Sequence, residues 1–124
     1  MSQQIVFISR NKIKEGKADE FRKHYQNSVS SITAGKPGTL AQLAYKNEKT
    51  AQVTIVRLFP YADALDQQLK GAAERSKITY EFIEPISIEI FGSINPTTLD
   101  VMKQIAGLGV AVSVSQYFIG GFIR

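Results

Sequence analysis

Gln4-Ile5-Val6-Phe7-Ile8-Ser9-Arg10-Asn11-Lys12-Ile13-Lys14-Glu15-Gly16-Lys17-Ala18-Asp19-Glu20-Phe21 changes its period at one glycine. Up to Lys14 the residues alternate as a strand does, with Ile5 and Phe7 on one side and Val6 and Ile8 on the other. Glu15-Gly16 breaks the run. From Lys17 to about Thr33 the pattern turns helical: Ala18, Phe21, Tyr25, Ser28, Val29 and Ile32 form one stripe, and Asp19, Arg22, Lys23 and Gln26 lie opposite. Gly35-Lys36-Pro37-Gly38 ends that helix, with Gly35 as its left-handed cap.

The rest of the chain extends the pattern. Thr39–Lys46 and Ala51–Phe59 read as strands, joined closely enough for a hairpin. Pro60 opens a helix from about Ala62 to Arg75, weakened at Gly71. Tyr80–Ile94 reads as a fourth strand, irregular at Pro85, which has no N–H for the ladder. Asn95-Pro96 is a cap followed by a first-turn proline, and a short helix runs through Ile105. Gly109–Ile123 reads as a fifth strand, bulged at Gly120-Gly121. The order β-α-β-β-α-β is the ferredoxin-like, α+β arrangement, with residues 95–124 as an extra C-terminal α-β in one domain of 1–124.

Size and composition agree. A chain of 124 residues with 44% hydrophobic and 21% charged residues fits one globular core. It has no cysteine, which excludes disulfides and thiolate chemistry and fits a reducing cytoplasm. Met1-Ser2-Gln3-Gln4 leads straight into the first strand without the look of a signal peptide, and the apolar stretch Leu108–Ile123 is too short and too interrupted to cross a membrane. Residues 1–36 carry seven of the fifteen basic residues and three acids, so the whole surplus of +4 lies there. The charges are interleaved, which reads as a solvated surface. An RNA-binding role, for which the same element order is also used, is opposed by Ala51–Phe59, which lacks the aromatic pattern that stacks bases.

The strands are apolar on both sides. Val53, Ile55 and Phe59 oppose Val56 and Leu58, and the first strand behaves likewise. Two amphipathic helices cover one face of a sheet, so the other needs a second cover. A second copy of the chain is the simplest one, giving a homodimer. Phe118, Ile119, Phe122 and Ile123 are too apolar for a free tail and are expected to dock, on their own sheet or across the twofold.

Ile8-Ser9-Arg10-Asn11-Lys12-Ile13-Lys14-Glu15-Gly16-Lys17-Ala18-Asp19-Glu20-Phe21 and Val56-Arg57-Leu58-Phe59-Pro60-Tyr61-Ala62-Asp63-Ala64-Leu65 resemble the opening strand-turn-helix and the later strand-turn-helix of the antibiotic biosynthesis monooxygenase superfamily, the dimeric α/β-barrel proteins. The resemblance covers about residues 4–92. It implies a pocket between sheet and helices that takes a small, largely apolar compound. Some members oxidise phenols or quinols without metal or flavin, so it implies a cofactor-independent monooxygenase or isomerase, or a non-catalytic ligand-binding or regulatory dimer. Haem-degrading relatives use an Asn on the first strand and a Trp and His on the second helix. Ser9 falls at the Asn position, Arg10 matches its neighbour, and Gln68 falls near the helix position. The chain has no Trp and no His after His24, which removes haem cleavage.

Cofactor-free oxygenation needs a base and a group to hold an oxyanion. His24, the only histidine, is the candidate base. Ser9, Arg57, Gln68 and Tyr45 are candidate substrate-binding groups, with Tyr80 a further hydroxyl donor. The bland reading of Arg57 is an ion pair with Glu89 at the sheet seam. Gly35–Gly38 lacks phosphate-loop spacing, Gly107-Leu108-Gly109 lacks a third glycine, and neither a metal-ligand spacing nor a Ser-His-acid set is present.

Overall fold

The computed structural model describes residues 4–124. Met1–Gln3, part of the stretch read as lacking a signal peptide, lie outside them. The elements are β1 (Ile5–Ile13), α1 (Ala18–Gly35), β2 (Ala41–Asn47), β3 (Gln52–Phe59), α2 (Ala62–Leu69), α3 (Ala72–Thr79), β4 (Ile83–Phe91), α4 (Pro96–Ala106) and β5 (Ala111–Ser115). They build one five-stranded mixed sheet in the order β2-β3-β1-β4-β5. β1 pairs antiparallel with β3 (Ile5 opposite Phe59) and with β4 (Ser9 opposite Ile88), and β5 runs parallel to β4. This is the ferredoxin-like α+β fold plus an α-β extension. Within one chain the sheet is open at both edges, so the expected barrel is not closed.

The helices pack on one sheet face. Ile5, Phe7, Ser9, Asn11 and Ile13 of β1 point there, as do Val53, Ile55 and Phe59 of β3, and all are buried. Two clusters fill this layer. One gathers Ile5, Phe7, Phe59, Leu65, Ile90 and Met102; the other gathers Ile13, Phe21, Val53, Ile55 and Ile83. Val110, Val112 and Val114 extend the first cluster, so the β5 side chains alternate inward apolar and outward small or polar.

The elements differ from the sequence reading at several points; β4, for one, is Ile83–Phe91, shorter at both ends than Tyr80–Ile94. The second helix is two helices: Gly71 takes φ +76°, a left-handed turn that no straight helix contains, and α3 starts directly after it. Gly35 is the last residue of α1 and is not left-handed; the chain turns away at Lys36 instead. Asn95 sits at the N-cap of α4, but its amide donates to Asp63 and Asp66 of α2, tying the two helices together. β5 stops at Ser115, and the residues after it do not dock on their own sheet: Ile119 is 102% exposed and Phe122 76%. Beyond Gln116 the chain has left the sheet, so it has no ladder and no apolar layer to rest on.

The opposite sheet face carries Val6, Ile8, Leu43, Val56, Leu58 and Phe91, of which Leu43 is 50% exposed. Arg10 and Glu89 form an ion pair in its middle.

Candidate functional site

A cavity of about 390 Å³ lies between the sheet and the helices, within the usual range for small-molecule sites. Its floor is Phe7, Ser9 and Asn11 of β1, Gln42 of β2, Ile55 and Arg57 of β3 and Ile88 of β4. Its walls are His24, Tyr25, Ser28 and Ile32 from α1, Leu65, Gln68 and Leu69 from α2, and Arg75, Thr79 and Tyr80 at α3. Met102 and Ile105 of α4 close the end nearest α2, so the C-terminal extension contributes to the site.

Strand alternation decides who faces in. Arg57 shares its face with Ile55 and Phe59, so its guanidinium enters the helix layer. Its Cζ lies 5.3 Å from the Phe7 ring centroid, a cation–π placement, and its Nε donates to Gln42 Oε1 at 2.9 Å. Burial lowers the Arg57 pKa; the phenols of Tyr25 and Tyr80 oppose the shift and Arg75 adds to it. The guanidinium stays charged regardless. Glu89 lies on the other face with Arg10, so the sequence-based Arg57–Glu89 pair does not form. Arg57 has no ion-pair partner among the described residues, and no Asp or Glu lines the cavity.

His24 Nε2 lies 2.8 Å from Thr79 Oγ1, which in turn donates to the Arg75 carbonyl at 3.0 Å. A hydroxyl has one proton. With that proton given to Arg75, Thr79 accepts from His24, the imidazole carries its hydrogen on Nε2, and the Nδ1 lone pair is free. The ring also packs against Phe82, at 5.4 Å between centroids.

Ser9 and Gln68 are both buried and both line the cavity. Asn11 Nδ2 donates to Ser9 Oγ, and Gln68 Oε1 accepts from Thr39. Tyr80 is also at the wall, its phenol pKa raised by burial, with Ser76 and Arg57 opposing. Tyr45 is not there. It alternates with Ala44 on β2, faces the open side of the sheet and is 64% exposed, which corrects its placement among the binding groups.

Sequence reasoning missed four residues. Asn11 follows Ser9 by one strand period and was visible as its neighbour on the same face. Gln42 faces Arg57 across the hairpin, which only the register reveals. Tyr25 was read as part of the apolar stripe, yet its hydroxyl is buried without a hydrogen-bond partner. Burial raises its pKa; the Arg57 charge and the nearby Gln42 amide counter this. Arg75 donates to the Gln68 and Lys70 carbonyls, capping the end of α2 where Gly71 interrupts the helix.

The open mixed sheet with helices on one face defines a ferredoxin-like protein with a ligand-sized cavity between the layers. No protein-family model matches the sequence, and no curated protein matches it. Solved structures do. MupZ from Pseudomonas fluorescens superposes with a TM-score of 0.72 at 18% identity, over 98% of this chain and 95% of that one, so α4 and β5 have counterparts there. A Caulobacter crescentus protein described as a candidate antibiotic biosynthesis monooxygenase gives 0.64 at 19% identity, over 76% of this chain and 92% of that one. SnoaB from Streptomyces nogalater, a cofactor-independent oxygenase, gives 0.62 at 14% identity, over 75% and 95%. The chain has the fold of the antibiotic biosynthesis monooxygenases. Among the described residues, no helix is long and apolar enough to cross a membrane.

Proposed function

We propose that this protein is a cofactor-independent monooxygenase that acts, as a homodimer, on a small, largely apolar aromatic compound of phenol or quinol type. The observation that carries the reading is the cavity: an apolar interior containing one imidazole, donor side chains and an unpaired guanidinium, with no carboxylate among its lining residues. Such a site favours the ionised form of a weakly acidic ring compound. The fold shared with SnoaB supports the same chemistry.

In this reading the ring lies over Phe7, Leu65 and Met102. His24, through Nδ1, takes the proton of the phenolic or enolic hydroxyl. Ser9 and Gln68 fix the ring through its oxygen substituents, and the Arg57 charge lowers the energy of the anion. The electron-rich anion passes one electron to dioxygen, the two radicals couple to a peroxide anion at the activated ring carbon, and the proton held by His24 returns to make it a hydroperoxide. Loss of water leaves a carbonyl there. One oxygen atom is retained, and the other leaves as water with the two hydrogens removed from the substrate.

The homodimer is supported by the open face, where Val6, Ile8, Leu43, Val56, Leu58 and Phe91 lack a cover, and by the exposed apolar tail from Tyr117 to Ile123. A second copy offers the same face, and the tail reaches it by exchange across the twofold. The lack of cysteine suits a reducing cytoplasm, where this reading places the protein.

One observation favours a second reading. His24 is the sole candidate base and has no carboxylate to complement it, which fits a ligand-binding or regulatory dimer that performs no reaction. Oxygen-electrode assays with an anthrone and quinol panel separate the two. Uptake that disappears in His24→Ala supports the oxygenase. A rise in melting temperature with the same compounds, without uptake, transfers the site to the binding class. Light scattering at micromolar concentration tests the dimer; a monomer sinks it.

A further inference from the structure

The cavity holds two arginines and one histidine and no acid, but the three side chains are not equally free. Arg75 donates to the Gln68 and Lys70 carbonyls. His24 is held by Thr79. Arg57 alone keeps an open end. Its Nε goes to Gln42, while both Nη groups lack a hydrogen bond or ion pair to any described residue. Tyr25 Oη is buried close to the Arg57 charge and beside Gln42, without a hydrogen bond of good geometry. A guanidinium whose Nη groups face the cavity without an acid, beside a buried hydroxyl, makes a corner suited to an anionic acceptor.

We infer that the ligand of this cavity enters as an anion, an amphipathic monocarboxylate whose carboxylate is held end-on by the two Nη groups of Arg57 beside Tyr25, with its apolar body running toward Leu65 and Met102. This rests on the cavity being the ligand site, and it narrows the substrate from any phenol to an acid. A neutral phenol that ionises only during the reaction leaves Arg57 unpaired in the resting complex. A carboxylate pairs it from the moment of binding, and the parallel N–H groups of a guanidinium match its two oxygens. One free cation fits one negative charge. The apolar wall from α2 and α4 then sets the length of the body, with Phe7 beneath both parts.

The test is a calorimetric titration of the full chain at neutral pH with 2-naphthoate and with 2-naphthamide, its neutral near-isostere. The acid is expected to bind about tenfold or more tightly than the amide. In Arg57→Gln the ratio of acid to amide affinity is expected to fall to about one; in Arg57→Lys part of it returns. Equal binding of acid and amide by the unaltered chain overturns the inference without any variant. So does an acid preference that survives in Arg57→Gln, or no binding of the acid at millimolar concentration. Oxygen uptake is read separately. Naphthoate binding with no uptake from any quinol ends the oxygenase reading and leaves this one standing; oxidation of neutral quinols with no acid preference does the reverse.

Discussion

His24 and Thr79 meet across the gap between α1 and α3, with Nε2 and Oγ1 2.8 Å apart. The bond joins two helices that are 55 positions apart in sequence at this point, and it fixes the plane of the only imidazole. Thr79→Val removes the acceptor while keeping the shape. It is expected to cost about 1 kcal/mol of stability, read from the urea midpoint. On the proposed reaction it also slows turnover through a freer ring, whereas His24→Ala lowers oxygen uptake about a hundredfold or more. Full uptake in His24→Ala removes the base assignment.

The Arg10–Glu89 pair lies half exposed on the open sheet face. In a lone protomer such a pair contributes little, about 1 kcal/mol at most. In the proposed homodimer a second copy desolvates it, and an unmatched charge there is costly. Arg10→Glu is therefore expected to weaken dimerisation strongly, and the double exchange Arg10→Glu with Glu89→Arg to restore much of it, as followed by sedimentation velocity. Wild-type association by the single variant would show that the two copies meet elsewhere.

Gly92 follows β4 at φ +122°, and a Cβ there would lie 2.7 Å from the Gln4 carbonyl oxygen and 2.7 Å from Ile5 Cδ1. The first neighbour is backbone and cannot swing aside. Gly92→Ala combines this clash with a backbone conformation that L-residues avoid, so a loss of about 1–3 kcal/mol or more is expected in denaturant unfolding. Gly16→Ala is the control: it shares a positive φ but has open space around it, and its penalty should be smaller.

Tyr25 and Tyr80 have phenol pKa values raised by burial above the ordinary 10.0. The folded chain keeps these protons to higher pH than the unfolded chain does. Their contribution to stability is therefore complete below about pH 10 and is lost as pH rises through the folded values. Tyr25→Phe should flatten that alkaline decline in melting temperature. Near neutral pH the variant should be nearly as stable as the parent, because the hydroxyl it loses makes no hydrogen bond of good geometry. A marked loss at neutral pH would reveal a hydrogen bond that the structure does not contain.

Most of the fold could be read from periodicity. The change of period at Gly16 placed β1 and α1, and the two-sided apolar pattern of β1 and β3 marked a sheet with one face uncovered. Arg57 could be placed by the alternation of its own strand, whereas Ser9 and Gln68 were named through the family resemblance; all three line the cavity. Tyr45 failed because nothing local says which side of an edge strand meets the helices. The proposed Arg57–Glu89 pair failed for the same reason, since the irregularity between Arg10 and Asn11 fixes the β4 register and leaves Glu89 beside Arg10. Arg75 was invisible because its partners are carbonyls exposed by a helix break, a matter of three-dimensional placement with no residue pattern of its own.

Helix α4 supplies Met102, nearly fully enclosed, to the back of the cavity, although the β-α-β-β-α-β core is complete without it. On the proposed reading, the groups that grip a guest and the segment that limits its length are thus encoded separately. Change at 96–106 can lengthen or shorten what is accommodated while the polar corner around Arg57 stays as it is. A protein built this way can alter its menu by rewriting an appendix, leaving the strand ladder and its register untouched.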